Sequence, residues 1–287
     1  MDRRKFVKHS IIGASGMVAL SSFTKWWDKE DSADTFMPVL FVGHGSPMNA
    51  IEDNEFSQTW KKLGVELPKP KAILCISAHW ETHGTKITAM AQPRTIHDFG
   101  GFPKALHEAQ YPAPGAPELA VDTKKLLEKW QAHEDHSWGL DHGTWSVLMP
   151  MYPQAIIPVY QLSLDVRKTP QQHVDLARDL VELRKKGVMI IGSGNIVHNL
   201  GLMKWQESGF DWAVEFNELI KTKISSNQTS DLISFRNLKN SNLTIPTPEH
   251  FLPLLYILGL KQEVEKAYFF NDKATLGSIT MTGVWIR

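Results

Sequence analysis

Apolar residues run almost without interruption in three places: MPVLFVG at 37–43, AILCISA at 72–78 and VMIIGSG at 188–194. Runs of this length, rich in Val and Ile and closed by Gly or Ser, predict strands buried on both faces of a sheet. KITAM at 86–90 and IIPVYQLSL at 156–164 predict further strands, and KAYFFN and SITMTGVWI predict two more at the end of the chain. Helical segments are expected between them, at about 52–64, from Pro117 to about Trp130, and at about 211–224. Thr169-Pro170 reads as a capped helix start with proline at the first position, and Gly187 as that helix's end. Thr247-Pro248 reads as another capped start, which would put Glu249 and His250 in a first helical turn. Strands alternating with helices predict a single-domain, three-layer α/β/α fold around a mainly parallel central sheet.

In such sheets, sites form beyond the carboxyl ends of the strands. His44 and His79 fall at those ends, His198 follows close behind its strand, and His250 sits at the opening of the Thr247-Pro248 element. Gly43 and Gly45 leave the backbone around His44 free to turn sharply. Strand ends converging on one rim can place these imidazoles around a single metal ion. Imidazole suits zinc or ferrous iron, and it must be unprotonated to bind either. The histidines are scattered rather than packed in a motif such as H-E-x-x-H, so spacing does not choose the metal. His9, His83, His107, His133, His136 and His173 lack that placement and read as surface or hydrogen-bonded core residues.

A long irregular stretch from about 91 to 115 is rich in proline, glycine and aromatics. Loops of that length are usually functional or disordered, and Phe99, Phe102 and Tyr111 argue for an ordered cover. His97, Asp98 and Phe99 are its expected substrate-facing residues, against the plainer reading of a loop packed on the body. Trp80, Trp138 and Trp145 could stack on an aromatic ring, although tryptophan more often serves packing. Arg94 is a candidate partner for a substrate carboxylate. Cys75 lies inside AILCIS, where a small buried hydrophobe is expected rather than a reactive thiol. As the one cysteine, it leaves no disulfide to form within the chain.

With 287 residues, 42% of them hydrophobic, the chain can bury a large core without staples. Lysine plus arginine and aspartate plus glutamate both number 31, so no broad basic field exists to recruit nucleic acid. No coiled-coil heptad or long apolar helix face is evident, and a monomer is expected. The amino terminus reads differently. DRRKFVK is followed by SIIGASGMVALSSF, short for a membrane span of about 20 residues. A basic start, an apolar middle and a polar exit fit an export signal. Arg3-Arg4 with Phe6 and Lys8 resembles the twin-arginine address, which implies the twin-arginine export machinery and a periplasmic product. An uncleaved leader would leave an anchor. Residues 1–26 carry Arg3, Arg4, Lys5, Lys8 and Lys25 against Asp2, so their removal would leave an acidic remainder.

Seven segments carry a wider resemblance: GHGSPMN at 43–49, SAHW at 77–80, TIHDFGGFP at 95–103, YPAPG at 111–115, WGLDHGTW at 138–145, GSGNIVHN at 192–199 and TPEHFLPLLY at 247–256. Together, in this order, they resemble the DOPA 4,5-dioxygenase group of the class III, LigB-type extradiol dioxygenases, over residues 37–287. The resemblance implies a LigB-like fold, one divalent metal ion (zinc or Fe(II)), and insertion of both atoms of O2 into a catechol beside its two hydroxyls. It implies His44, His79 and His250 as metal ligands. His198 matches a position that neighbours the metal in some relatives and acts as acid/base in others. His142 matches a histidine that contacts substrate, so His142 and His198 are the expected proton-transfer residues. The wider class uses two histidines and a glutamate, whereas here His250 stands at the third position with Glu249 beside it. A third histidine leaves the ion more positive and brings zinc into consideration. Two other functions fit the same residues: a zinc hydrolase activating water, and a LigB-like binding protein without catalysis.

Overall fold

The computed structural model describes residues 36–287, so the leader read at residues 1–26 lies outside the described part. Six strands form the central sheet: β1 (Val39–Gly43), β2 (Ala72–Ser77), β3 (Val159–Gln161), β4 (Val188–Gly194), β5 (Ala267–Phe270) and β6 (Gly283–Ile286). Their order across the sheet is β3-β2-β4-β1-β6-β5. β2 pairs in parallel with β3 and β4, and β4 in parallel with β1. The last two strands run antiparallel, β6 along β1 and β5 along β6. The parallel register sets Val39 opposite Ile190 and Gly43 opposite Gly194, so β1 and β4 end level with each other.

The principal helices are α1 (Glu55–Glu66), α2 (Pro117–Leu126), α3 (His142–Met151), α4 (Pro170–Asp179), α5 (Asp211–Ser225) and α6 (Leu252–Leu260). Successive strand side chains point to opposite faces. Val39, Phe41, Leu74, Ile76 and Ile190 therefore pack on one side, with α2, α4, α5 and α6. Leu40, Val42, Ile73, Cys75, Met189 and Ile191 pack on the other, with α1 and α3. This two-sided burial is why the parallel strands are apolar at every position, and it makes the three layers. Cys75 is buried, and burial pushes its thiol pKa up.

Arg184 is fully buried behind the sheet. Its Nε donates to Met37 O at 2.7 Å and its Nη1 to Leu260 O at 2.8 Å, while both terminal nitrogens meet the Glu265 carboxylate. One paired charge thus ties the entry to β1, the end of α6 and the approach to β5. Each guanidinium nitrogen placed there has an acceptor, and the charge is paired, the condition under which a buried charge is tolerated.

Four expectations change. The helix expected over 169–187 keeps its capping box, Thr169 with Gln172, but breaks at Leu180 into α4 and a short helix Val181–Lys185. Thr247 does not cap a helix: its hydroxyl donates to Glu249 Oε1 at 2.8 Å. Residues Pro248 to Phe251 form a turn, and α6 begins at Leu252, so His250 precedes the helix. The segment SITMTGVWI divides into Ile279–Thr280, paired with Ala274–Thr275, and β6. The helix α3 has no counterpart in the sequence reading, because nine of its ten residues are buried and it shows no polar face.

His173, on α4, donates or accepts one hydrogen bond with Tyr256 Oη on α6 (2.9 Å) inside the core. Burial, reinforced by Lys168 and only partly opposed by Asp165, pushes its pKa down to about 4. The folded state therefore holds this ring neutral, while the unfolded chain protonates it near its ordinary pKa of about 6.5. Stability from this site is complete above that unfolded value and is lost as pH falls towards 4, by on the order of 3 kcal/mol at most. His173→Gln should lose less stability between pH 7 and 5 than the parent, in urea unfolding at each pH. Equal losses would show that the buried ring is not a source of the acid lability.

Candidate metal centre

The carboxyl ends of β1, β2 and β4 lie side by side, and each delivers a histidine. His44 directly follows β1, His79 stands two residues past β2, and His198 four past β4. Gly45, at φ +59, turns the chain sharply behind His44. His250 arrives from the turn before α6, pressed against β4. Asn195 N donates to His250 O at 2.9 Å, and a Cβ on Gly194 would fall 2.1 Å from that same oxygen. Only glycine at 194 lets the turn approach so closely.

The rings of His44, His79 and His250 lie 4.9, 5.3 and 5.1 Å apart, pair by pair, and each offers a nitrogen within 4.8 Å of the others. What lies behind each ring assigns its tautomer. Ser193 Oγ donates to Gly143 O at 2.5 Å, so at 3.0 Å it accepts from His44 Nδ1. His250 Nδ1 faces Glu249 Oε1 at 3.1 Å, and His79 Nδ1 faces Asp98 Oδ2 at 3.5 Å. Carboxylates only accept, so the hydrogen bond to Glu249 puts the His250 proton on Nδ1, and the longer contact with Asp98 favours the same tautomer at His79, in which Nε2 keeps a bare lone pair. His44 Nε2 and His79 Nε2 stand 3.0 Å apart, and His250 Nε2 is buried with no protein partner.

Electrostatics keep the cluster unprotonated. Burial, then the neighbouring histidines, push His44 and His79 well below the ordinary imidazole range. Burial also lowers His250, although Glu249 opposes it. Burial raises the Glu249 carboxyl, but hydrogen bonds from His250 and Thr247 outweigh it and bring the pKa down to about 2. Asp98 behaves alike: burial pushes up, and the His142 ring and backbone N–H pull further down. Two ionised carboxylates thus sit behind three neutral imidazoles. Converging lone pairs with an orphaned third nitrogen are what a divalent cation satisfies, and the residues present fit one.

Comparison with known sequences decides the family. The sequence model for the catalytic LigB subunit of aromatic ring-opening dioxygenase matches residues 37–282. The chain belongs to the LigB family. A protein of Escherichia coli (strain K12) named 4,5-DOPA dioxygenase extradiol is 46% identical over 260 residues, covering 88% of this chain and 96% of that one. A Beta vulgaris protein of the same name is 38% identical over 250 residues, 84% and 93% of the two chains. A crystal structure of an uncharacterized protein from Escherichia coli K12 superposes with a TM-score of 0.78 at 42% identity, covering 88% of this chain and all of that one. LigB extradiol dioxygenases are metal-dependent, in keeping with the histidine cluster.

Around the three-histidine group of this LigB chain, His198 and His142 take different positions. His198 stacks face to face on His250, with ring centroids 3.5 Å apart and planes 11° apart. Its nitrogens group with Glu249 and His250, not with His44 and His79. Burial, then His250, push its pKa down to about 3. His142 opens α3, which Asp141 caps, and its ring lies 3.8 Å from that of His79.

The loop residues separate by use. Asp98 turns its carboxylate to the histidines, whereas His97 Nε2 pairs with Ala109 O at 2.9 Å and its ring packs near Trp145. Phe99 meets His142 edge-on at 5.6 Å and Phe102 at 5.3 Å, forming an apolar wall beside the cluster. Trp145 is buried with Nε1 donating to Ile96 O, and Trp80 is buried against the parallel ring of Trp138, so packing accounts for both. Arg94 Nε is engaged by Trp138 O at 3.1 Å. The sequence reading missed Ser193 and noted Glu249 only as a neighbour. The serine of GSGNIVHN is the trace it leaves.

Replacing His44, His79 or His250 by alanine should each abolish stoichiometric zinc after dialysis, while His198→Ala keeps it, as read by elemental analysis. Retention of zinc by any of the first three would remove that residue from the ligand set.

Proposed function

We propose that this chain is a metal-dependent extradiol dioxygenase that opens the ring of a catechol of the DOPA class. The observation that carries the reading is the convergence of three bare imidazole nitrogens, flanked by two further histidines, in a LigB chain whose relatives are named 4,5-DOPA dioxygenase extradiol. Ferrous iron is the working ion, because zinc has no redox chemistry with which to engage O2. When bound, the ion supplies a Lewis acid and a template on which catechol and O2 meet.

The residues of the chain do the rest. His44, His79 and His250 would hold the ion, with Ser193 and Glu249 fixing the orientation of two of the rings and Asp98 lying behind the third. His198, neutral and stacked beside His250, serves as a proton acceptor for a catechol hydroxyl rather than as a fourth ligand. His142 handles the second proton from the opposite side of the cluster. Phe99 and Phe102 form a wall that excludes water from one flank of the ring. In the overall reaction the carbon–carbon bond beside the two hydroxyls breaks and both oxygen atoms enter the product. The reading also includes a monomer and, on the strength of Arg3-Arg4 and the apolar stretch that follows, export through the twin-arginine machinery to the periplasm.

Protein purified without oxygen and loaded with ferrous iron should consume O2 with DOPA or a simpler catechol and form a yellow ring-opened product. Zinc-loaded protein should not. Stoichiometric metal with no O2 uptake on any catechol would overturn the dioxygenase reading and favour a zinc hydrolase or a binding role. His142→Ala should lower turnover by ~100-fold while bound metal is unchanged. Loss of metal in that variant would remove His142 from proton transfer.

A further inference from the structure

Asp98 lies within the Pro- and Gly-rich loop, yet both of its oxygens are directed inward. Oδ1 accepts the backbone N–H of His142 at 2.9 Å. Oδ2 lies 3.0 Å from His142 Nδ1 and 3.5 Å from His79 Nδ1. The His142 Nδ1 contact is oblique and falls outside hydrogen-bond geometry, and this buried nitrogen has no hydrogen-bond partner among the described residues, so the nearby carboxylate is the acceptor it can turn to. The N-terminus of α3 does not need Asp98 as its cap, since Asp141 already accepts from Thr144 N. Asp98 therefore holds one histidine at two points, main chain and ring, and touches a second.

We propose that Asp98 is a positioning residue for His142: its carboxylate keeps the proton on Nδ1 and the ring in place, so that a bare Nε2 is presented to the catechol. The geometric basis is the pair of contacts at 2.9 and 3.0 Å. A carboxylate has only lone pairs to offer, and an imidazole beside it lowers its energy by turning an N–H that way. His142 is then an acceptor at Nε2 from the outset and needs no tautomer change before it takes a proton. The kinetic consequences rest on the ring-cleavage reading, whereas the tautomer itself does not.

The substitution Asp98→Asn separates positioning from shape. An amide oxygen can still accept the His142 backbone N–H, but the amide N–H2 then faces Nδ1 and favours the opposite tautomer. Zinc-loaded protein carrying 15N-histidine would report which ring nitrogen of His142 is protonated, with the signal identified by its loss in His142→Gln. The parent should show Nδ1–H and Asp98→Asn should show Nε2–H with zinc retained. With ferrous iron, Asp98→Asn should lower kcat by ~10–100-fold at little change in KM. In the His142→Gln background it should cost far less than in the parent, the remainder reporting its contact with His79. Nε2–H in the parent overturns the proposal without any variant. So does an unchanged tautomer or lost zinc in Asp98→Asn, or losses that multiply when the two substitutions are combined. If the parent consumes no O2, the ring-cleavage reading falls and the tautomer measurement still decides the role of Asp98.

Discussion

Three imidazole lone pairs aimed at one point repel one another, and the rest of the centre is arranged so that they cannot turn away. Each ring has an acceptor behind its Nδ1: Ser193 and Glu249 by hydrogen bonds to His44 and His250, and Asp98 by a longer 3.5 Å contact with His79. A ring free to rotate would relieve the 3.0 Å contact between His44 and His79 nitrogens by swinging one of them out. Burial and fixed acceptors remove that escape. The protein thereby holds three imidazole nitrogens in an arrangement that a divalent cation would satisfy. Folding energy from the two cores is what maintains it.

Those cores also explain where the centre lies. Parallel strands end on the same rim, and β2, β4 and β1 are adjacent, so the residues that follow them are neighbours without any long-range design beyond the sheet. His250 is the exception, because it comes from a turn and not from a strand end. Its place depends on a strand with no side chain at 194 and on the packing of α6 against the sheet. Ser193, one residue earlier on β4, points its hydroxyl between His44 and the Gly143 carbonyl, linking the centre to α3. The same two residues of β4 therefore admit one ligand and orient another.

This division decides what could be read from the chain alone. His44 and His79 were legible because uninterrupted apolar runs mark strands buried on both sides, and the residue after such a run is at a sheet rim. His250 was legible as a candidate but misplaced by a turn, since Thr247 uses its hydroxyl on Glu249 and not on a helix. α3 was not legible: a helix buried on all sides has no polar face, and periodicity reports only the contrast between faces. Asp98 was legible as part of an ordered loop but not in its use. A carboxylate in a cover segment reads as facing the substrate, and only the fold reveals that it faces His142 and His79.

The position of the acidic groups changes the meaning of the third histidine. A site with a carboxylate ligand places one negative charge directly on the ion. With three neutral imidazoles the ion keeps its full charge, which in isolation would argue for a stronger Lewis acid. Here Asp98 and Glu249, both held ionised, stand one contact further out, behind His79 and His250. Their charge would reach a bound ion through the imidazole rings, making each ring more basic without taking up a coordination position. The arrangement is also two-sided. Asp98 is shared between His79 and His142, and Glu249 lies in one group with His250 and His198. Each carboxylate thus lies between one of the three converging rings and one of the two flanking histidines. A cation bound among the three rings would therefore act on the two flanks through different carboxylates, Asp98 towards His142 and Glu249 towards His198.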